Sequence, residues 1–211
     1  MDHSVPAGMQ PDRRAFWNER YATEGYVFGV DANRFVVEEL SDVPAGRALD
    51  LGCGQGRNAV WLAAQGHRVT AVDLSEVAVE QGRLLAAEAG VEVEFVVADV
   101  LVWDSPAAAF DLVVLSYIQL DEARRSVVHA KASEALAPGG LLFVVAHHAE
   151  NLEHGVGGPQ LPDLLYDEAQ LAGDFAGLEV QRNERVLRPV ERDGAAGVAI
   201  DILFVATKSE A

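Results

Sequence analysis

The stretch that most constrains this chain is Ala48-Leu49-Asp50-Leu51-Gly52-Cys53-Gly54-Gln55-Gly56-Arg57-Asn58-Ala59. It reads as a buried strand, a glycine-rich turn and the start of a helix. Glycines at alternate positions let the backbone turn sharply and approach a ligand closely, because no Cβ stands in the way. Units of this kind build nucleotide sites at the carboxyl ends of strands in open parallel sheets.

The dinucleotide fingerprint Gly-x-Gly-x-x-Gly is met at Gly52 and Gly54, but Arg57 stands where its third glycine belongs and the glycine falls at Gly56. Asp50 precedes the turn. A carboxylate there is awkward beside a pyrophosphate, which a helix N-terminus otherwise welcomes, and comfortable beside an ammonium or sulfonium. The loop therefore suits a cationic adenosine cofactor better than NAD. Asp50-x-Gly-x-Gly-x-Gly resembles the first motif of the class I S-adenosylmethionine (SAM)-dependent methyltransferases.

Acids outnumber bases 33 to 16, for a formal charge of −17. Nucleic acid needs a basic face, so neither DNA or RNA nor an anionic membrane surface is an expected partner, whereas a small anionic substrate is allowed by a locally positive site. At 211 residues, half of them hydrophobic, the chain is expected to be one domain with a sizeable core. Cys53 is the lone cysteine, which excludes an intrachain disulfide and a cysteine-based zinc site. The first residues lack the basic start and apolar run of a signal peptide, and no apolar stretch reaches bilayer length. The expectation is a cytoplasmic protein, a monomer or weak homodimer.

Residues 1–10 read as a loose arm and 11–23 as a helix opening after Pro11-Asp12. Phe16, Trp17, Tyr21, Tyr26 and Phe28 put five of the fifteen aromatics within thirteen residues, as a hydrophobic lid on the core or as a cap over cofactor or substrate. Asp31 or Asn33 starts a second helix. The chain then alternates: a strand at Arg47–Leu51, a helix at Gly56–Gln65, a strand at His67–Asp73, and a helix capped by Ser75 and ended by Gly90. Val93–Ala98 follows as a strand apolar enough to be buried on both faces. Phe110–Leu115 is a strand, Asp121 caps a helix to Leu136 that stops at Pro138-Gly139-Gly140, and Leu141–Ala146 is the fifth strand. Asn151–Pro162 reads as a functional loop or lid and Asp167–Gly173 as a short helix. Leu178–Leu187 and Val198–Thr207 are strands joined by a turn over 192–197. Strands separated by helices mean a mainly parallel sheet with helices on both faces.

Asp73 ends the second strand, 21 residues after Gly52, where an acid hydrogen-bonds ribose hydroxyls; a helix N-terminal acid before Ser75 is the plainer alternative. Asp99 ends the third strand, and a solvated loop aspartate is its plainer reading. Tyr117 follows the fourth strand and either lines the site or packs. Cys53 is in the loop because it is small, with no histidine beside it to make it a nucleophile. His147-His148, with Glu150 and His154 behind, fits no known metal-ligand spacing, and adjacent strand histidines point to opposite faces. No metal is expected. A histidine acting as general base is the more plausible chemistry, with ordinary loop histidines the alternative. Arg185, Arg188 and Arg192 would bind an anionic substrate or form a solvated edge.

The resemblance is closest to the tellurite-resistance and thiopurine branch of the methyltransferases and covers most of residues 16–145. It is carried by Phe16-Trp17-Asn18-Glu19-Arg20-Tyr21, by Leu49 to Asn58, and by Val72-Asp73-Leu74-Ser75. It implies an α/β, Rossmann-like doubly wound seven-stranded mixed sheet, of order 3-2-1-4-5-7-6 with strand 7 antiparallel. It divides 1–211 into an N-terminal helical cap (1–45), a SAM-binding core (46–148), and a substrate loop with closing hairpin (149–211). Implied cofactor contacts are Trp17 and Tyr21 folding over the ligand, Asp50, Gly52, Cys53, Gly54 and Asn58 in the loop, Asp73 and Leu74, Asp99 at the adenine amino group with Val100 beside it, and Ser116. Tyr117, His147 and His148 are the catalytic candidates. The expected reaction is in-line transfer of a methyl group from SAM to an O, N, S or chalcogen nucleophile of a small molecule. It mainly requires alignment, worth roughly 7–11 kcal/mol. A non-catalytic SAM-binding module and an NAD-binding oxidoreductase are the alternatives; Arg57, Asp50 and Asp99 speak against the latter. Residues beyond 145 match no recognisable substrate signature.

Overall fold

The structure, a computed structural model, describes residues 12–192 and 195–210. The expected arm over 1–10 lies outside the described residues. Two helices come first, α1 (Arg13–Tyr21), capped by Asp12, and α2 (Arg34–Leu40), capped by Asn33. Then follow β1 (Arg47–Leu51), α3 (Arg57–Ala64), β2 (Arg68–Asp73), α4 (Glu76–Ala89), β3 (Val93–Val97) and β4 (Phe110–Ser116). The chain continues through α5 (Glu122–Ala135), β5 (Leu136–His147), α6 (Asn151–His154), α7 (Glu168–Asp174), β6 (Glu179–Arg192) and β7 (Ala195–Thr207).

One seven-stranded sheet has the order β3-β2-β1-β4-β5-β7-β6, parallel except for β7, which runs antiparallel to both neighbours. Alternation along the central strands splits the core. Leu49, Leu51, Val113 and Leu115 face Val128 and Ala132 of α5 and Leu171 of α7. Ala48, Leu112 and Val114 face α2, α3 and α4 through Leu40, Leu62 and Val79. Each face of a parallel sheet needs such cover, because both are apolar.

Three expectations are corrected. β3 is not buried on both faces: Phe95 is buried while Glu94 and Val97 are exposed, because β3 is the sheet edge. Pro138-Gly139-Gly140 does not separate α5 from the next strand. Leu136 pairs with Phe110 at once, and a register shift before Leu112–Leu141 absorbs the turn, with Gly139 at φ +74°. The hairpin strands run to Arg192 and from Ala195, well beyond the expected ends, because the β6–β7 ladder stays in register to Arg192–Ala195.

The segment expected as a loop or lid holds α6 and is pinned to the hairpin. Asn151 Oδ1 accepts from Ile200 N (2.7 Å), its Nδ2 donates to the Gly157 carbonyl (2.8 Å), and Val156 N donates to the Val198 carbonyl (3.0 Å). No helix among the described residues is long and apolar enough to cross a membrane.

Candidate functional site

A cavity of about 900 Å³ opens at the carboxyl ends of β1, β2, β4 and β5, the end at which open α/β sheets bind ligands. Gly52, Gly54 and Gly56 all take left-handed backbone angles, φ +70°, +54° and +78°. A Cβ on Gly54 would stand 2.7 Å from the Tyr21 hydroxyl, and one on Gly56 2.8 Å from the Phe95 ring. The loop therefore needs glycine both for its angles and for its clearance.

Asp73 ends β2 with its carboxylate against this loop. Oδ2 accepts from Gly54 N (2.8 Å) and Oδ1 from Ser75 N (2.8 Å). Burial pushes its carboxyl up, and the amides of Ser75, Gly54 and Leu74 pull it back. Each oxygen keeps a second acceptor direction, and Asp73 lines the cavity. Asp73 thus ties the glycine loop to the start of α4 and faces the cavity as well. The two sequence readings of this acid are compatible.

Asp50 is 1% exposed and lies behind the loop, off the cavity wall, with no hydrogen-bond partner on either oxygen. Burial first, then the charge of Asp73, pushes its carboxyl up from an ordinary 3.8 to about 7, against the pull of Arg57. The folded value lies above the unfolded one, so the stability linked to this proton is fully present below about pH 4. It is lost as pH rises through about 7. Asp50→Asn removes the titration. Scanning calorimetry of cofactor-free protein is expected to show the variant gaining several degrees on the wild type between pH 5 and pH 8; an unchanged difference would show that Asp50 does not titrate in this range.

Among the other expected cofactor residues, Trp17, Tyr21, Gly52, Cys53, Gly54, Asn58, Leu74, Val100 and Ser116 line the cavity. Asp99 does not. Its carboxylate accepts from Arg13 Nη1 (3.2 and 3.0 Å) and from Leu101 N (3.0 Å), so Arg13 stands at that wall instead. Trp17 and Tyr21 stack with ring centres 5.6 Å apart, and Phe28 joins them at the wall, whereas Tyr26 packs on the core and donates to the Gln81 carbonyl (3.3 Å). The aromatic cluster is therefore both cap and core. Burial pushes the Cys53 thiol well above its ordinary value, which suits a small wall residue rather than a nucleophile.

At the far end of the cavity three side chains meet on Asp201, which is fully buried. His147 Nδ1 lies 3.0 Å from Oδ1; the Tyr117 hydroxyl donates to Oδ2 (2.8 Å), as does Arg188 Nε (2.6 Å). Sheet register makes the meeting. His147 and Asp201 are cross-strand partners on β5 and β7, and Arg188 is two residues from Asp201's partner Val186 on β6. Tyr117 holds φ +53°, rare for a non-glycine residue, and its ring lies 4.8 Å from His147 and 5.6 Å from the Arg188 guanidinium. Burial pushes the Asp201 carboxyl up, but His147 and Arg188 outweigh it and hold it below the ordinary range. It is a carboxylate, so Nδ1 is the ring nitrogen that donates to it, and Nε2 is the nitrogen left toward the cavity. Among the described residues Nε2 has no hydrogen-bond partner, and His147 lines the cavity.

His148 points to the opposite face, as alternation requires, and pairs with Glu168 (3.1 Å) away from the cavity. Arg185 pairs with Glu150 (2.7 Å), and the Arg192 side chain lies outside the described residues. Among the described residues no three His, Cys, Asp or Glu side chains group as metal ligands. Asp201 was missed from sequence, although an acid between isoleucines in an otherwise apolar strand is a signal of a partnered buried charge.

Residues 48–140 match a family described as a methyltransferase domain. A ubiquinone biosynthesis O-methyltransferase of Idiomarina loihiensis is 35% identical over 99 residues, 46% of this chain and 40% of that protein. The chain spans about half the length, or less, of the curated relatives it matches. Among solved structures, a protein from the conversion of a disulfide bond into a thioacetal group during echinomycin biosynthesis superposes with TM-score 0.74 at 21% identity, over 94% of this chain and 93% of that one. TehB from Haemophilus influenzae superposes with TM-score 0.70 at 18% identity, over 93% and 67%.

Proposed function

We propose that this chain, whose residues 48–140 form a class I, SAM-dependent methyltransferase domain, moves a methyl group from SAM to a small-molecule acceptor. The observation that carries the reading is the left-handed glycine loop tied by Asp73 beneath an aromatic cap.

The residues fit the cofactor. Gly52 and Gly54 bring bare backbone to the cavity wall, Asp73 has free acceptor directions for ribose hydroxyls, and Leu74 and Val100 offer apolar wall to adenine. Asp99, off the cavity wall behind Arg13, keeps one acceptor direction on Oδ2 for the adenine amino group. Asp50 behind the loop, its carboxyl pushed up to about 7 by burial, would be drawn toward its charged form by a cationic ligand. When bound, SAM supplies a methyl carbon activated by its sulfonium, whose sulfur takes the C–S electron pair as the acceptor bonds that carbon.

The chain's own part is alignment and proton removal. Ser116 and Tyr117 lie between the loop and His147 along the cavity wall. His147 Nε2 takes the proton that a hydroxyl, thiol or amine acceptor gives up, and Asp201 stabilises the resulting imidazolium through Nδ1. Tyr117, held by Asp201 and with its phenol pushed up by burial, stays neutral and bounds the acceptor. A cytoplasmic location and a monomer or weak homodimer complete the reading.

Calorimetric titration of cofactor-free protein with SAM, with NADH as control, tests it. Saturable binding on the order of micromolar is expected for SAM alone. Absence of SAM binding would overturn the reading of the glycine loop.

A further inference from the structure

The acceptor end of the cavity carries more positive charge than the mechanism uses. Arg57 and Arg188 both line it. Arg188 spends Nε on Asp201 and lies over the Tyr117 ring. Arg57 spends Nη1 on the Phe28 carbonyl (2.8 Å), and no carboxylate among the described residues forms an ion pair with it. Burial lowers its affinity for its proton and the nearby Arg188 charge lowers it further, while Tyr117 and Asp50 oppose. Two guanidinium groups thus repel each other across one wall, with a single carboxylate, Asp201, already shared among three donors. Of the cavity's acids, Asp73 is committed to the glycine loop and Glu191 is exposed on the outer hairpin. In a chain of net charge −17 this local excess of cation is out of keeping with the rest of the molecule. A half-buried cation such as Arg57, with no ion-pair partner among the described residues, is costly, and a planar fork matches a carboxylate two bonds at a time.

We propose that the acceptor is an organic anion, its carboxylate seated between Arg57 and Arg188 and its protic nucleophile presented to His147. The placement rests on the methyltransferase reading. Arg57 lies within residues 48–140 and Arg188 on the hairpin beyond them, so the matched domain and the closing hairpin each supply one half of the anion site.

Matched aromatic pairs test it: 3-hydroxybenzoate against 3-hydroxybenzamide, and 3,4-dihydroxybenzoate against its amide. Each is titrated into protein saturated with S-adenosylhomocysteine. The carboxylates are expected to bind at least roughly tenfold tighter than the amides, the worth of one charge-assisted hydrogen bond. That preference should shrink to about twofold in R57Q and in R188Q and return in R57K, which restores charge without the fork. The variants' melting midpoints check the fold. Equal binding of both arms, tighter amides, or no binding by either would overturn the proposal. So would an R57Q variant that loses S-adenosylhomocysteine affinity while the probes show no charge preference, since Arg57 would then serve the cofactor's own carboxylate. Failure of SAM itself to bind would instead sink the methyltransferase reading, and the same pairs titrated into cofactor-free protein would still report the charge preference.

Discussion

Asp201→Ala is expected to lower the rate of methyl transfer by roughly two to three orders of magnitude, the usual worth of a positioned general base, while SAM affinity changes little. Asp201 touches neither cofactor nor acceptor in this reading; it acts through the groups it holds. Without it His147 loses the partner that sets its tautomer, Arg188 loses its ion-pair partner, and the Tyr117 hydroxyl loses its acceptor. Breaking a buried pair from one side also costs about 3 kcal/mol of stability or more, so alanine alone would confuse a folding defect with a catalytic one. Asp201→Asn separates them. It keeps the volume but presents an amide to Nδ1, which favours the wrong tautomer. The asparagine protein should hold its SAM dissociation constant within about threefold and most of its melting temperature, while kcat falls about as far as in the alanine protein. Single-turnover rates with whichever of the hydroxybenzoate probes is methylated, beside calorimetry with SAM, read both quantities. An asparagine variant with wild-type kcat would leave His147 as a wall residue and no more.

Asp73→Ala should weaken SAM binding on the order of 100-fold. Two hydrogen bonds from backbone amides to this carboxylate hold the glycine loop and the start of α4, each worth about 1.5 kcal/mol or more when the acceptor is charged. Those bonds are present with and without ligand; the binding loss comes from the ribose hydroxyls, whose two bonds to a charged acceptor are together worth about 3 kcal/mol. Ser75 also caps α4 by accepting from Ala78 N (3.1 Å), so the helix itself should survive, and circular dichroism should change little. Calorimetry decides the matter: binding within threefold of wild type in the alanine variant would remove Asp73 from the ribose.

The parts of the molecule legible in its sequence are those governed by local rules. Ser75 and Asp121 were readable as caps because each precedes an apolar-periodic run, and each caps the helix that follows. The glycine loop was readable because alternate glycines after an apolar strand answer to few other needs, and Asp73 because a β-α-β unit fixes its distance from that loop. Strand order came with the family resemblance rather than from periodicity. The burial of β3 was misread, since an apolar run looks the same in the middle of a sheet and at its edge until its neighbours are known.

The amino-acid sequence by itself determined the glycine-loop end of the cavity: a strand, a glycine turn, an acid after the next strand, and an aromatic segment. All of these lie near one another along the chain or at a spacing that local geometry sets. Only the tertiary structure decided the acceptor end. His147 and Asp201 meet because antiparallel β7 enters the sheet beside β5 in one register, and Arg188 joins them because β6 pairs with β7 in one register too. A shift of one residue in either pairing would turn these side chains to the opposite face. That register is selected by burying Ile202, Phe204 and Ala206 on one face and Leu203 and Val205 on the other, a requirement of the whole core rather than of any segment.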